Sequence, residues 1–162
     1  RNYHIFYQLL NGMSDEQAAN FRLTGVDGDK YGPEDFFYTN QSECFEIGED
    51  NFDAVSFAET CKAMQILGIK EEDQEQILRV LAAILHLGNI DFVEDDQHAD
   101  RASKLADEES LESAGNAAAM LQVEREVLQK ALMTRKIQTV EGILVKEMEA
   151  EEARESRDAL AK

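Results

Sequence analysis

Basic residues are scarce in this chain. Sixteen Lys and Arg stand against 34 Asp and Glu, a formal net charge of −18 over 162 residues. A surface this acidic excludes nucleic acid and anionic membrane as partners of the whole molecule, and an acidic protein partner must be met by a local basic patch. Cysteine is sparse as well. Cys44 and Cys61 fit neither a disulfide framework nor zinc spacing, a usage that suggests a reducing compartment. There, the acceptor triplet Asn40-Gln41-Ser42 meets no glycosylating enzyme. Long apolar runs are missing too: the longest, residues 80–85, falls far short of the roughly 20 needed to cross a bilayer. Residues 1–20 lack the basic start and apolar block of a signal peptide.

Chemical motifs are equally few. The chain has no G-x-x-x-x-G-K-S/T phosphate loop, no G-x-G-x-x-G, no H-E-x-x-H and no C-x-x-C. His4, His86 and His98 are scattered, and His86 has no His or Cys at ligand spacing. The carboxylate runs at 71–73 and 149–152 read as solvated faces. Residues 27–38 invite comparison with a calcium loop because Gly32 occupies its sixth position. The twelfth position is Tyr38, where a bidentate Glu is needed. No catalytic residue, cofactor site or metal site is therefore assigned to this chain.

What is present is hydrophobic periodicity, centred on residues 77–90, ILRVLAAILHLGNI. Its apolar residues occupy almost every face of a helix, the pattern of a helix buried in the middle of a protein. Gly88 is expected to end it in the left-handed conformation, and Ile90-Asp91-Phe92 to begin something extended. Acidic residues 71–73 suit the helix start, whereas Lys70 is a poor cap, so that end should fray.

Around this stretch, residues 2–10 read as a helix burying Ile5, Phe6, Leu9 and Leu10, stopped by Asn11-Gly12. Ser14 and Gln17 form a capping box for a second short helix. Residues 23–32 read as a loop, after which Pro33 opens a turn with Glu34 and Asp35. Residues 45–50 are a weak strand candidate. Asp50 or Asn51 caps a helix whose stripe Val55, Ala58, Cys61 and Met64 faces inward, which makes Cys61 a small core residue rather than a nucleophile. Residues 93–102 read as a surface loop leading to a short polar helix. Residues 117–132 read as a helix turning Ala119 or Met120, Val123, Val127, Leu128, Ala131 and Leu132 inward. Residues 136–146 change to a period of two about Glu141-Gly142, predicting a projecting β-hairpin with Gly in the turn. Residues 149–162 are again helical. Neither end of the chain carries a cap, so an excised piece of a longer protein is expected. The fold class is mainly α, a helical subdomain with a buried central helix and one projecting β-hairpin.

Five strings carry a resemblance, in order: RNYHIFYQLL at 1–10, TNQS at 39–42, AMQILGI at 63–69, the helix-Gly-Asn ending at Asn89, and SRDALAK at 156–162. Together they resemble the motor domain of the myosins. The resemblance implies that residues 1–162 are a partial motor domain from the upper half of its actin-binding portion. The phosphate loop and both switch loops lie outside it. ATP and Mg belong to the parent motor, and the fragment alone does not hydrolyse ATP. Implied partners are filamentous actin and the remaining parts of the same motor domain, with a cytoplasmic, cytoskeletal location.

Two surfaces correspond to actin contacts of that family. The hairpin at 135–147 lies where myosins carry the cardiomyopathy loop, with Arg135, Lys136, Ile143, Val145 and Lys146 as candidates. Residues 93–104 lie where they carry loop 4, with Arg101 and Lys104 as cations and Glu94, Asp95, Asp96 and Asp100 opposing contact. Many myosins tune actin affinity through an acidic or phosphorylatable residue sixteen positions before the Asp of DALAK. Counting back from Asp158 gives Gly142, which is neither, with Glu141 adjacent and Thr139 the nearest hydroxyl. The expected role is mechanical: the helical body closes against the other half of the motor and passes that movement to the nucleotide loops. The rival reading is a free-standing helical scaffold that binds a partner helix.

Overall fold

The computed structural model describes residues 1–48, 51–96, 102–140 and 142–162. They form two compact units, Arg1–Leu85 and His86–Lys162.

In the first unit, α1 (His4–Gly12) buries Phe6, Tyr7, Leu9 and Leu10. The helix stops at Asn11-Gly12 as expected, and Gly12, its last residue, lets α4 (Phe52–Ile66) approach. A Cβ on Gly12 would sit 2.4 Å from Cβ of Phe57. The expected capping box opens α2 (Asp15–Asn20): Ser14 Oγ accepts from Gln17 N–H at 3.2 Å and Gln17 Oε1 from Ser14 N–H at 3.1 Å. Pro33–Asp35 forms the expected turn, in 3-10 form, before α3 (Phe37–Asn40). No strand forms at residues 45–48, because among the described residues no extended segment pairs with them; Glu49 and Asp50 lie outside the described residues.

The inward face of α4 differs from the periodicity. Val55 is 58% exposed, Ala58 is exposed and Cys61 and Met64 are half-buried. Asp53 and Phe57 are the buried residues. Arg1 reaches Asp53 at 2.7 Å, and Asn11 Nδ2 donates to the other carboxylate oxygen at 3.4 Å. A charged anchor thus fixes the rotation of the helix, a choice an apolar count does not register. Partial burial pushes the Cys61 thiol up from its usual range.

The central helix is α5 (Glu71–Gly88). It is one-sided rather than buried all round: Leu78, Ala82, Ala83 and Leu85 are buried, whereas Ile77 is 42% and Val80 50% exposed. At its start the buried Gln74 donates from Nε2 to the carbonyl of Ile69 at 2.8 Å. Gly88 remains helical. The chain turns at Asn89, closed by Asn89 N–H to His86 O and Ile90 N–H to Leu87 O.

In the second unit, residues 93–102 are not simply a surface loop. Strands β1 (Phe92–Asp95) and β2 (Ala102–Leu105) pair antiparallel from Phe92↔Leu105 to Asp95↔Ala102. Phe92 and Ala102 are buried; the acidic residues between the strands obscure a period so short. The expected single helix at 117–132 is two, α6 (Glu108–Leu121) and α7 (Arg125–Met133). They separate at Gln122, whose φ is 58°. As a result Leu128 and Leu132 face inward, while Val123 and Val127 are 44% and 60% exposed and Ala131 is exposed. The predicted second hairpin is β3 (Thr134–Thr139) with β4 (Gly142–Glu147), and α8 (Ala150–Ala161) follows. The core of this unit gathers Leu87, Ile90, Phe92, three alanines of α6, Leu128, Leu132, Ala150 and Ala153. The fold is mainly helical with two small antiparallel hairpins, one more than the sequence predicts.

Candidate functional site

The β3–β4 hairpin is built by alternation and stands almost entirely in solvent. Its register is Arg135↔Lys146, Lys136↔Val145, Ile137↔Leu144, Gln138↔Ile143 and Thr139↔Gly142. Residues directly opposite share a face, so the sequence candidates divide. Arg135 and Lys146 lie on one face together with Ile137 and Leu144. Lys136, Val145, Gln138 and Ile143 lie on the other. Ile137, Leu144, Ile143 and Val145 are 36, 55, 66 and 47% exposed, so each face presents apolar and basic groups together. Leu144, which is not among the sequence candidates, shares the face of Lys146 by counting in twos.

The faces differ in their attachment. Arg135 Nη1 pairs with Glu152 Oε1 of α8 at 2.9 Å, so its charge is engaged at the base of the hairpin. Exposed pairs of this kind contribute about 0–1 kcal/mol, enough to bias an orientation. Both Lys136 and Lys146 are exposed. At the tip, Val140 is fully exposed. Gly142 has φ +137° with no atom near a notional Cβ, and Thr139 Oγ1 donates to the Gly142 carbonyl at 2.8 Å. Glu141 lies outside the described residues.

The second candidate surface is divided in another way. Lys104 lies in β2 opposite Val93 and pairs with Asp95 at 3.5 Å. Glu94, expected to oppose a partner, instead accepts the Ala150 backbone N–H at 3.0 Å at the start of α8. Asp100 and Arg101 lie outside the described residues.

The hairpin leads directly into α8. Met148 is buried and its N–H reaches Met133 O at 2.9 Å, closing the hairpin below its last pair. Further along α8, two arginines grip residues 88–92. Arg157, 4% exposed, donates from Nη1 to the carbonyls of Ile90 at 2.7 Å and Gly88 at 3.3 Å, while its Nε meets Asp158 at 2.8 Å. Arg154 donates to the Phe92 carbonyl and, from Nε, to Asp91 Oδ1 at 2.7 Å. That hydrogen bond holds the Asp91 carboxyl below its usual range and raises Arg154 above its own. SRDALAK and the helix-Gly-Asn string both stand in the sequence, but nothing in either announces that they meet.

Among the described residues no group of three His, Cys, Asp or Glu side chains is placed to hold a metal ion. No described helix is long and apolar enough to cross a membrane.

The profile of the family described as Myosin head (motor domain) matches residues 1–162. Myosin-15 of Arabidopsis thaliana is 40% identical over 162 residues, 100% of this chain and 10% of that protein. Protein OPAQUE1 of Zea mays is 40% identical over 163 residues, 100% of this chain and 10% of that protein. Myosin IB heavy chain of Dictyostelium discoideum is 37% identical over 139 residues, 86% of this chain and 11% of that protein. The chain thus spans about a tenth of the length of these relatives. With the profile matched from end to end and relatives of this identity covering the whole chain, the chain belongs to the myosin head (motor domain) family.

Proposed function

We propose that residues 1–162 serve an ATP-driven, actin-based motor as part of the upper half of its actin-binding portion. The P-loop motor fold, its phosphate loop, both switch loops, and the ATP and Mg they bind belong to the parent protein outside this stretch. This piece contributes filament contact and the helical body that relays it to the nucleotide loops. Family membership favours this reading over a free-standing scaffold.

The observation that carries the filament contact is the β3–β4 hairpin. In a chain of net charge −18, residues 134–140 hold Arg135 and Lys136 and no acid, and they stand in solvent beside Lys146 and the exposed side chains of Ile143, Leu144 and Val145. An acidic filament meets here the local basic patch that the composition demands. Because Arg135 is engaged by Glu152, Lys136 and Lys146 are the leading contacts, backed by Ile143 and Val145. Lys104 is a secondary contact, with Arg101 a candidate from the sequence alone, and Glu141 or Gly142 stands at the sequence position at which affinity is tuned.

Co-sedimentation with filamentous actin tests this in a complete motor domain carrying the segment. Lys136→Glu and Lys146→Glu are each expected to weaken binding roughly tenfold at low salt, with a smaller difference as salt screens the contact. If both reversals leave binding unchanged while Lys104→Glu weakens it, the contact belongs to the first hairpin instead.

A further inference from the structure

The carbonyls that α8 captures fall at alternate positions. Those of Gly88, Ile90 and Phe92 all accept from Arg157 or Arg154, three residues apart on α8. Two positions further on, the Glu94 side chain accepts the first backbone N–H of that helix. Gly88 is also the last residue of α5, where carbonyls lack intrahelical donors and positive charge is favoured. Arg157 supplies both donor and charge from a buried position, its own charge offset by Asp158 at 2.8 Å.

The other end of α8 is tied to the β3–β4 hairpin through both strands. Strand β4 runs into α8 through the buried Met148 and the N-cap Glu149, and Arg135 of β3 forms an exposed ion pair with Glu152 at 2.9 Å. One helix therefore carries the hairpin at its first turn and the end of α5 on its second and third turns. We propose that Arg154 and Arg157 are a clasp that makes α8 and residues 88–92 move as one piece, so that a displacement of the hairpin is delivered to the carboxy end of α5. Guanidinium forks suit this role because each spans two acceptors in a fixed plane, whereas a lysine offers a single flexible point. Residue 91 is held from a further side, its N–H reaching Ser110 Oγ of α6 at 3.1 Å. The clasp stands on the fold of His86–Lys162 alone and needs no filament.

Hydrogen exchange at the amides of Asn89 and Ile90, which close the end of α5, tests it in the chain without any partner. The hairpin is loosened by Ile137→Gly with Leu144→Gly, a cross-strand pair whose loss weakens β3–β4. With the clasp intact, this change is expected to speed exchange of both amides roughly tenfold. In Arg157→Gln those amides should exchange faster from the outset and no longer respond to the hairpin. Arg154→Gln, at the more exposed arginine, keeps the test open if Arg157→Gln does not fold, and should reduce the response. Amides that ignore the hairpin while both arginines are present overturn the proposal. So does an undiminished response in Arg154→Gln.

Discussion

The phenol of Tyr7 donates to the main-chain carbonyl of Thr39 at 2.8 Å. Both residues are buried, and Thr39 Oγ1 donates onward to the Pro33 carbonyl at 2.6 Å. Two of the strings that identify the family thus meet in one hydrogen-bonded knot, 32 residues apart in the chain. Tyr7→Phe keeps the ring but leaves a buried carbonyl without its donor, at a cost of about 1–3 kcal/mol. Thr39→Val should cost a similar amount. Urea unfolding measures both, and an unchanged midpoint would show that the knot contributes nothing net.

Two glycines in helices should respond oppositely to alanine. At Gly12 the new methyl meets Phe57 at 2.4 Å, an overlap that packed helices relieve only by shifting, at about 1–3 kcal/mol. At Gly115 in α6 a notional Cβ would meet Arg125 Cδ at 3.9 Å, ordinary van der Waals contact, so alanine gains its helix propensity, about 0.5–1 kcal/mol. Thermal melts of Gly12→Ala and Gly115→Ala should move in opposite directions. Equal shifts would contradict the close approach of α1 and α4.

The corrected face of α7 predicts a contrast between two aliphatic residues that periodicity treats alike. Leu132, 2% exposed within the second core, should cost about 2–5 kcal/mol when cut to alanine. Val127, 60% exposed, should change stability by less than about 0.5 kcal/mol. A Val127→Ala loss matching that of Leu132→Ala in urea unfolding would restore the continuous helix expected from sequence.

Acid should loosen the attachment of residue 91. The hydrogen bond from Arg154 lowers the Asp91 pKa, and the backbone N–H of Ser110 does the same for Asp107. A depressed folded value means that the stabilisation is complete above the ordinary aspartate range and is lost as pH falls through the lowered value. The urea midpoint of the native chain should therefore drop on acidification through that window. In Asp91→Asn it should start lower at neutral pH and drop less steeply. Parallel acid limbs in the two proteins would remove Asp91 from the account.

The capping box at Ser14, the turn at Pro33 and the β3–β4 hairpin were legible because each is written within a few adjacent residues. The misreadings share a different character. The face of α4 was decided by Arg1, 52 positions from Asp53, and the β1–β2 pairing spans an acidic stretch with no period. The break at Gln122 is a single left-handed residue inside a sequence that otherwise favours helix. Among the candidate contacts, Arg135 was legible as a cation, but its engagement by Glu152 was not.

By itself the sequence determined the helical class, the acidic surface, the exposed hairpin and, through five ordered strings, the family. These rest on local spacing and composition, which folding does not alter. Only the tertiary structure decided which faces are buried, which cations remain available and that Arg154 and Arg157 hold residues 88–92. Those outcomes depend on contacts between residues distant in the chain, where a buried charge or an unsatisfied carbonyl outweighs the local pattern.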